Sequence, residues 1–253
     1  MTKPRNHQLI TIFGRKPVLE VLQSPTQVVR LHISREVKGH GIIKDILKLA
    51  ESREIEIQTH SKKELSYISK NNRQDQGVAL DLFAPNLQSI EALPEPATTF
   101  PRAATALLLI DGVTNPQNLG IIIRSVAASP MHGLILPKKG CAGLGPMVYK
   151  ASAGTLIKAT IYQCDDTSQG LLALKNKGFT IYGLAGDGSQ DLNSITKKDH
   201  VVFVLGNESD GLATETEQMC DVLVNIPMAN DVESINVSAA ATLVAFHQLF
   251  TSG

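Results

Sequence analysis

The sequence predicts an α/β protein: a parallel sheet with helices on both faces, preceded by a smaller α/β unit. Three observations carry this. From Thr105 onward, short apolar runs alternate with helical stretches. Several of those runs have no polar side, Leu107-Leu108-Leu109-Ile110 being the clearest. A strand of that kind must be covered on both faces, as in parallel sheets. Before them, residues 9–83 carry their own short amphipathic segments, and a proline-rich stretch separates the two regions.

The first region, residues 1–84, reads in order. Arg15 to Gln23 carries Val18, Leu19 and Leu22 at helical spacing. Val28 to Ser34 alternates as a strand does. Ile42 to Arg53 holds Ile43, Ile46, Leu47 and Ala50 on one side of a helix. Ile55 to Gln58 is a short strand. Ser61 and Glu64 form a capping box that opens a further helix. Gly77 to Phe83 is a last strand, with Val78, Leu80 and Leu82 on one face. Residues 85–104 contain Pro85, Pro94, Pro96 and Pro101 and read as an extended linker, with room for one helical turn near Ser89 to Leu93. In the second region, residues 105–253, strands are expected at Ala106–Ile110, Gly133–Leu136, Thr160–Gln163, Thr180–Leu184, Val201–Leu205 and Val222–Ile226. Ala239 to Phe250 is an apolar helix with no polar face, which suits a core or an interface between subunits.

Composition narrows the function classes. Of the 253 residues, 43% are hydrophobic and 19% charged, ordinary values for a globular protein. No apolar run reaches the roughly 18 residues that span a bilayer, and Met1 to His7 has no secretory pattern, so a cytoplasmic protein with no membrane partner is expected. Cys141, Cys164 and Cys220 are odd in number and far apart, and the seven histidines are scattered. Neither a disulfide framework nor a metal site is expected from such spacing. The net charge is zero but unevenly spread. Residues 1–84 hold 14 Lys and Arg against 9 Asp and Glu, or +5, and residues 85–253 hold 10 against 15, or −5. A basic first region suits a polyanion, because phosphate contacts need Lys and Arg.

Ligands of parallel sheets bind in loops beyond the strand carboxyl ends. Three such loops draw attention. The first runs from Asp111 through Asn118 and Gly120 to Arg124 and Ser125. Asn118 stands where a helix should begin, and an ordinary helix cap would account for it. Arg124 follows the apolar Leu119, Ile121, Ile122 and Ile123, where a guanidinium needs a partner or a cleft. The second loop is Gly206-Asn207-Glu208-Ser209-Asp210-Gly211. Gly206 allows close approach of a ligand to backbone, and Gly211 allows a positive φ. The third runs from Ile226, Pro227 and Met228 to Ser234, Ile235, Asn236 and Ser238. Ser234 and Asn236 can serve as caps of the helix that follows.

Together and in this order, the three loops resemble the sequence motifs of the SpoU (TrmH-like) family of RNA ribose 2′-O-methyltransferases, in the SPOUT superfamily. The resemblance runs from about Leu107 to Phe250. It departs at Ile235, where leucine is usual, and at Ser209-Asp210, where the family more often has a glycine-containing pair. More weakly, Phe13 to Glu20 and Gln76 to Ala79 resemble the family's amino-terminal substrate-binding domain, of ribosomal-protein-L30e-like fold. The resemblance implies a deep C-terminal trefoil knot, S-adenosyl-L-methionine as cofactor and a structured RNA as partner. It also implies a homodimer formed through the second domain. It places the cofactor against Gly206, Ile226 and Ile235, and the catalytic set at Asn118, Arg124, Glu208, Ser234 and Asn236. A free guanidinium does not lose its proton near neutral pH. Arg124 is therefore expected to clamp phosphate and stabilise a developing alkoxide, with Asn118 holding it in place. The substrate expected is a guanosine of 23S ribosomal RNA, with transfer RNA as the alternative.

Two other classes compete with this reading. A non-catalytic RNA-binding module of the same fold would show an eroded site set, yet all five residues are present. A nucleotide-dependent oxidoreductase would need a Gly-x-Gly-x-x-Gly turn after the first strand of a βαβ unit. Asp111 to Pro116 is not that turn, and Gly183, Gly186 and Gly188 have the wrong spacing.

Overall fold

The computed structural model describes residues 8–71, 73–94, 105–195, 200–207 and 209–250. The chain divides into two compact units. One comprises Met1–Pro85 with Leu144–Lys150, the other Asn86–Gly143 with Ala151–Gly253.

The first unit runs β1 (Leu9–Phe13), α1 (Arg15–Gln23), β2 (Val28–Ser34), α2 (Ile42–Ser52), β3 (Glu56–His60), α3 (Lys62–Ser69) and β4 (Val78–Phe83). Its sheet has the order β1-β4-β2-β3, with only the β2–β3 pair parallel. β1 was not singled out in the sequence, and β3 begins one residue later than expected and runs two residues further. α1 starts after Gly14, whose φ of +92° lets the chain leave β1 sharply. The capping box forms as read: the Ser61 hydroxyl accepts from Glu64 N–H, and the Glu64 carboxylate accepts from Ser61 N–H at 2.8 Å. Ile12, Val18, Leu31, Ile46, Leu65 and Leu80 fill the core.

The second unit holds an eight-stranded sheet of order β10-β12-β9-β11-β6-β7-β8-β5, parallel at every pairing. Its strands are β5 (Leu87–Ser89), β6 (Ala106–Ile110), β7 (Gly133–Pro137), β8 (Ile161–Cys164), β9 (Thr180–Leu184), β10 (Gln190–Asp191), β11 (Val201–Leu205) and β12 (Val222–Asn225). The helices are α4 (Pro116–Ala128), α5 (Pro146–Ala151), α6 (Thr167–Asn176), α7 (Thr214–Gln218) and α8 (Val237–Phe250), α5 lying mostly in residues grouped with the first unit. Part of the stretch read as linker is strand. Leu87 pairs with Ile161, and a 3₁₀ turn follows at Ile90–Ala92. No proline falls between Pro85 and Pro94, so Leu87, Ile90 and Leu93 are free to pair and bury. The remaining prolines of that stretch lie outside the described residues.

The unbroken apolar strands are explained by their two covers. Leu107, Leu109, Ile135, Val202 and Val204 pack with Leu171 and Leu174 of α6. Strand alternation turns Leu108, Ile110 and Phe203 to the opposite face. All three are fully buried. α4 and α8 pack on each other and reach β7 and β11.

Candidate active site

The strand order fixes where the loops meet. β6 leads to β7 and β8 on one side, while β9 lies on the other and β11 is inserted beside β6. Parallel sheets bind ligands at such a switch point, beyond the carboxyl ends of the strands. The loops after β6 and β11 start side by side, joined by the Asp111 N–H donating to the Leu205 carbonyl at 2.7 Å.

In the first loop Asn118 is not the helix cap. Asn115 is: its side chain accepts from the Gln117 N–H at 2.8 Å, and Pro116 occupies the first helical position. A proline there lacks only an N–H that has no partner in the helix anyway. Asn118 sits within the first turn and is 8% exposed. Its Oδ1 accepts from Asn236 Nδ2 at 3.4 Å, which brings the first and third loops together. Arg124 comes six residues later, about 240° around the helix at 3.6 residues per turn. Leu119, Ile122, Ile123 and Val126 take the buried side of α4. Arg124 is exposed, as is Ile121. Among the described residues no carboxylate or carbonyl is paired with Arg124, and Asn118 engages Asn236 instead.

The second loop closes on itself. Asn207 bridges Gly211, donating its N–H to the Gly211 carbonyl at 3.0 Å. Asn207 Oδ1 accepts from the N–H groups of Ser209 and Asp210, both at 2.8 Å. A Cβ on Gly206 would fall 2.0 Å from the Gly211 carbonyl, so this glycine is needed for the loop's own return. Gly211 has φ +69°, as its place in the turn anticipated. Glu208 lies outside the described residues.

In the third loop Asn230 and Asp231 both take left-handed φ, +57° and +58°, and Val232 N–H donates to the Ala229 carbonyl at 3.3 Å. Positive φ at both central positions suits Asn and Asp, whose side chains tolerate that region. Asn236 is the cap of α8, accepting from Ser238 N–H at 2.8 Å and from the Ser238 hydroxyl at 2.5 Å. It therefore combines the cap with the bridge to Asn118. Ser234 is exposed and has no described partner. One contact was not foreseen. Thr242 donates its hydroxyl to the Ser238 carbonyl at 2.8 Å, so Ser125 must donate to Thr242 Oγ1 across 2.7 Å. That bond ties α4 to α8 in addition to the Asn118–Asn236 pair; Ser125 closes the first loop's run in the sequence, and Thr242 carries no sequence signal.

Apolar and backbone groups adjoin in the third loop. Met228, Val232 and Ile235 are exposed, and Ile226 is half-buried. Between residues 227 and 235, one backbone hydrogen bond is described, that of Val232. Apolar side chains beside backbone donors and acceptors that have no partner among the described residues fit a purine-bearing ligand. Thiol chemistry is disfavoured. Burial, and next the nearby Asp166, pushes the Cys164 thiol up to about 12. Burial and then Asp221 push Cys220 up to about 11, and burial also raises Cys141.

Comparison with known proteins agrees with this arrangement. Residues 105–246 match the model of the SpoU rRNA methylase family, and residues 11–88 match that of the RNA 2′-O ribose methyltransferase substrate-binding domain. The chain is 31% identical over 237 residues to a Staphylococcus saprophyticus protein assigned to the TrmH family of tRNA/rRNA methyltransferases, covering 94% of each chain. It is 30% identical over 240 residues to an uncharacterized tRNA/rRNA methyltransferase of Mycobacterium leprae, covering 95% of this chain and 77% of the other. Among solved structures, the SpoU methyltransferase AviRb of Streptomyces viridochromogenes, bound to AdoMet, superposes with a TM-score of 0.65 at 21% identity. That match covers 96% and 90% of the two chains. An AdoMet-bound rRNA methyltransferase of Sinorhizobium meliloti gives 0.63 at 20%, covering 97% and 88%. A parallel sheet with three loops gathered at its switch point is the framework of an RNA-modifying methyltransferase. The chain belongs to the SpoU rRNA methylase family.

Proposed function

We propose that this protein transfers a methyl group from S-adenosyl-L-methionine to a ribose 2′-hydroxyl of a structured RNA, with a guanosine of 23S ribosomal RNA as the favoured target. The observation that carries the reading is the meeting of the first and third loops through Asn118 and Asn236 in a chain of this family. The match of the first unit to an RNA substrate-binding domain supports RNA as partner, and its +5 charge agrees.

When bound, the cofactor supplies an electrophilic methyl on a sulfonium. Accepting that methyl at the 2′-oxygen would release the cofactor as a thioether, and the hydroxyl proton would leave to solvent or a nearby base. The third loop would hold the adenosine part through Ile226, Ile235 and adjacent backbone, with Gly206 alongside. Arg124 stays protonated and steadies negative charge on RNA phosphate or on the developing alkoxide. Asn118 and Asn236 keep the loops in register. Glu208 and Ser234 complete the polar set. Positioning is the largest contribution expected of such a site.

The same proposal includes a homodimer and a knot. Ile121 on α4 and Leu243 on α8 are exposed apolar side chains on two helices that pack together, and Arg124 shares the exposed side of α4. A second copy meeting this patch would cover them symmetrically and enclose Arg124. For the trefoil knot, the support is the return of the chain. β9 separates β12 from β11, yet α8 packs on α4 and reaches β11.

Mapping 2′-O-methylated riboses in RNA from cells with and without the protein tests the reading. One ribosomal guanosine should lose its mark. An unchanged ribose map would contradict the proposal, and a lost mark in transfer RNA would move the substrate.

A further inference from the structure

Asp111 is the first residue beyond β6, and its N–H and both carboxylate oxygens are engaged. Its N–H extends the β6–β11 ladder through the Leu205 carbonyl at 2.7 Å. Its Oδ1 accepts from the hydroxyl of Thr167, the first residue of α6, at 2.7 Å. Its Oδ2 accepts from the backbone N–H of Ala213 at 3.3 Å, where the Gly206–Leu212 loop ends and α7 begins. The next residue, Gly112, has φ +76° and lies so close to Asn207 that a Cβ there would stand 3.4 Å from Asn207 Nδ2. One side chain thus joins the loop after β6, the far end of the loop after β11, and the start of α6. The near end of the second loop is already fixed by β11 and by the Asn207–Gly211 bridge. Asp111 fixes the other end.

We propose that Asp111 is a positioning residue that holds the Gly206–Ala213 loop against the first loop and thereby sets the affinity of the site for S-adenosyl-L-methionine. The assignment rests on the cofactor reading above. Asp111 acts through the loop and touches no reacting group. Nothing in its role requires a charge. The requirement is two acceptors at fixed positions, or one acceptor and one donor if the Thr167 hydroxyl turns round.

That distinction gives the test, made on the full chain. Asp111→Ala removes both acceptors. Asp111→Asn keeps the shape: Oδ1 accepts from Ala213 N–H while Nδ2 donates to the Thr167 hydroxyl, which rotates to accept. Thr167→Val removes one bond only. Amide hydrogen exchange over residues 206–213 reports loop order without any ligand, and calorimetry reports cofactor affinity. In Asp111→Ala the loop amides should exchange faster, and Kd for S-adenosyl-L-methionine should rise about 10–100-fold, the scale of two lost hydrogen bonds. KM for the cofactor should rise with it, while kcat at saturation stays within about threefold of wild type. Asp111→Asn should recover both exchange and affinity, and Thr167→Val should fall between. Should Asp111→Ala not fold, Asp111→Asn and Thr167→Val carry the test through the same two measurements. Unchanged exchange and affinity in Asp111→Ala, or in Thr167→Val where it stands in, would overturn the assignment alone, as would a fall in kcat at constant KM. An Asn variant as poor as Ala would show that charge and not geometry is required, and overturn it too. Wild-type protein that binds no S-adenosyl-L-methionine would overturn the cofactor reading, and this assignment with it.

Discussion

In the first unit a chain of hydrogen-bonded polar side chains crosses the sheet, whereas in the second the polar residues of the three loops lie at its carboxyl edge, and several face solvent. The contrast is visible in named groups. Thr11 of β1, Asp81 of β4, His32 of β2 and His60 of β3 form one chain of hydrogen bonds across all four strands. Asp81 accepts from the Thr11 hydroxyl at 2.8 Å and from His32 Nε2 at 2.9 Å, and His32 Nδ1 meets His60 Nε2 at 2.9 Å. Asp81 and His32 are buried, and every link of this chain is satisfied. In the second unit Arg124 and Ser234 are exposed and have no described partner, and beneath the loops the strand interior is apolar. Buried polar groups with full partners specify a fold, whereas exposed ones at a switch point are available to a ligand.

The comparison predicts that the two sets fail differently. Arg124→Ala should reduce turnover by about 10²–10³, or roughly 3–4 kcal/mol, the scale of one preorganised stabiliser. Its folding stability should stay within about 0.5 kcal/mol of wild type, as for an exposed residue with no partner among the described residues. Arg124→Lys keeps the charge but loses the planar fork, so it should be nearly as slow as Ala. Single-turnover rates from pH 6 to 10 check this. A Lys variant that recovers with a basic pKa would make residue 124 the proton acceptor.

The reverse pattern is expected in the first unit. Asp81→Ala leaves a buried histidine without its acceptor and should cost about 2–4 kcal/mol in urea unfolding. Methyl transfer at saturating RNA and cofactor, measured below the unfolding transition, should change little. A loss of turnover with full stability would break the distinction between the units.

Acid should act on the same network. Burial opposes charge on Asp81, but the hydrogen bonds from His32 and Thr11 outweigh it and hold its carboxyl below the usual range. Its share of stability is present above the ordinary aspartate value and is lost as pH falls through the depressed one. Burial, then the neighbouring His32, holds the His60 imidazole below its usual range as well. The unfolded chain therefore takes up that proton first, and stability declines as pH drops below about 6.5, the ordinary histidine value. Both groups push the same way. Urea midpoints should fall from pH 7.5 to pH 5.5, and His60→Ala should flatten that part of the curve. A midpoint that rises on acidification would contradict the assignment of charge.

The smallest effect on stability concerns the exposed patch. Leu243→Glu adds a charge where a side chain is already open to solvent, so the fold should be unchanged within about 0.5 kcal/mol. Light scattering should nevertheless show a monomer where wild type is a dimer. A wild type that is monomeric and active at micromolar concentration would end the dimer proposal.

Much of the fold was legible because its signals are local. Leu107 to Ile110 has no polar side and is a central strand. Ser61 and Glu64 sit at capping-box spacing and form the box. Harder to read were elements held by distant partners. β5 exists because Leu87 finds Ile161, and nothing near Leu87 says so. The site was legible as a set of loops through its resemblance to a family, but not as contacts. Asn118 looked like a cap because asparagine favours that place, yet Asn115, three residues earlier, takes it. Arg124 follows apolar neighbours in sequence, but helical phase turns it to solvent. Asp111 gains its contacts only when Thr167 and Ala213, 56 and 102 residues away, fold against it. The histidine chain of the first unit links residues up to 70 apart and carries no motif.

The central claim is that the methyl goes to a ribose oxygen. Purified protein, large-subunit ribosomal RNA and methyl-labelled S-adenosyl-L-methionine test it directly, with alkaline hydrolysis of the product. A methylated 2′-oxygen cannot attack the adjacent phosphodiester, so that linkage survives alkali. The account predicts label in alkali-resistant dinucleotides, reduced about 10²–10³-fold with Arg124→Ala. Label recovered in mononucleotides would place the methyl on a base and contradict it.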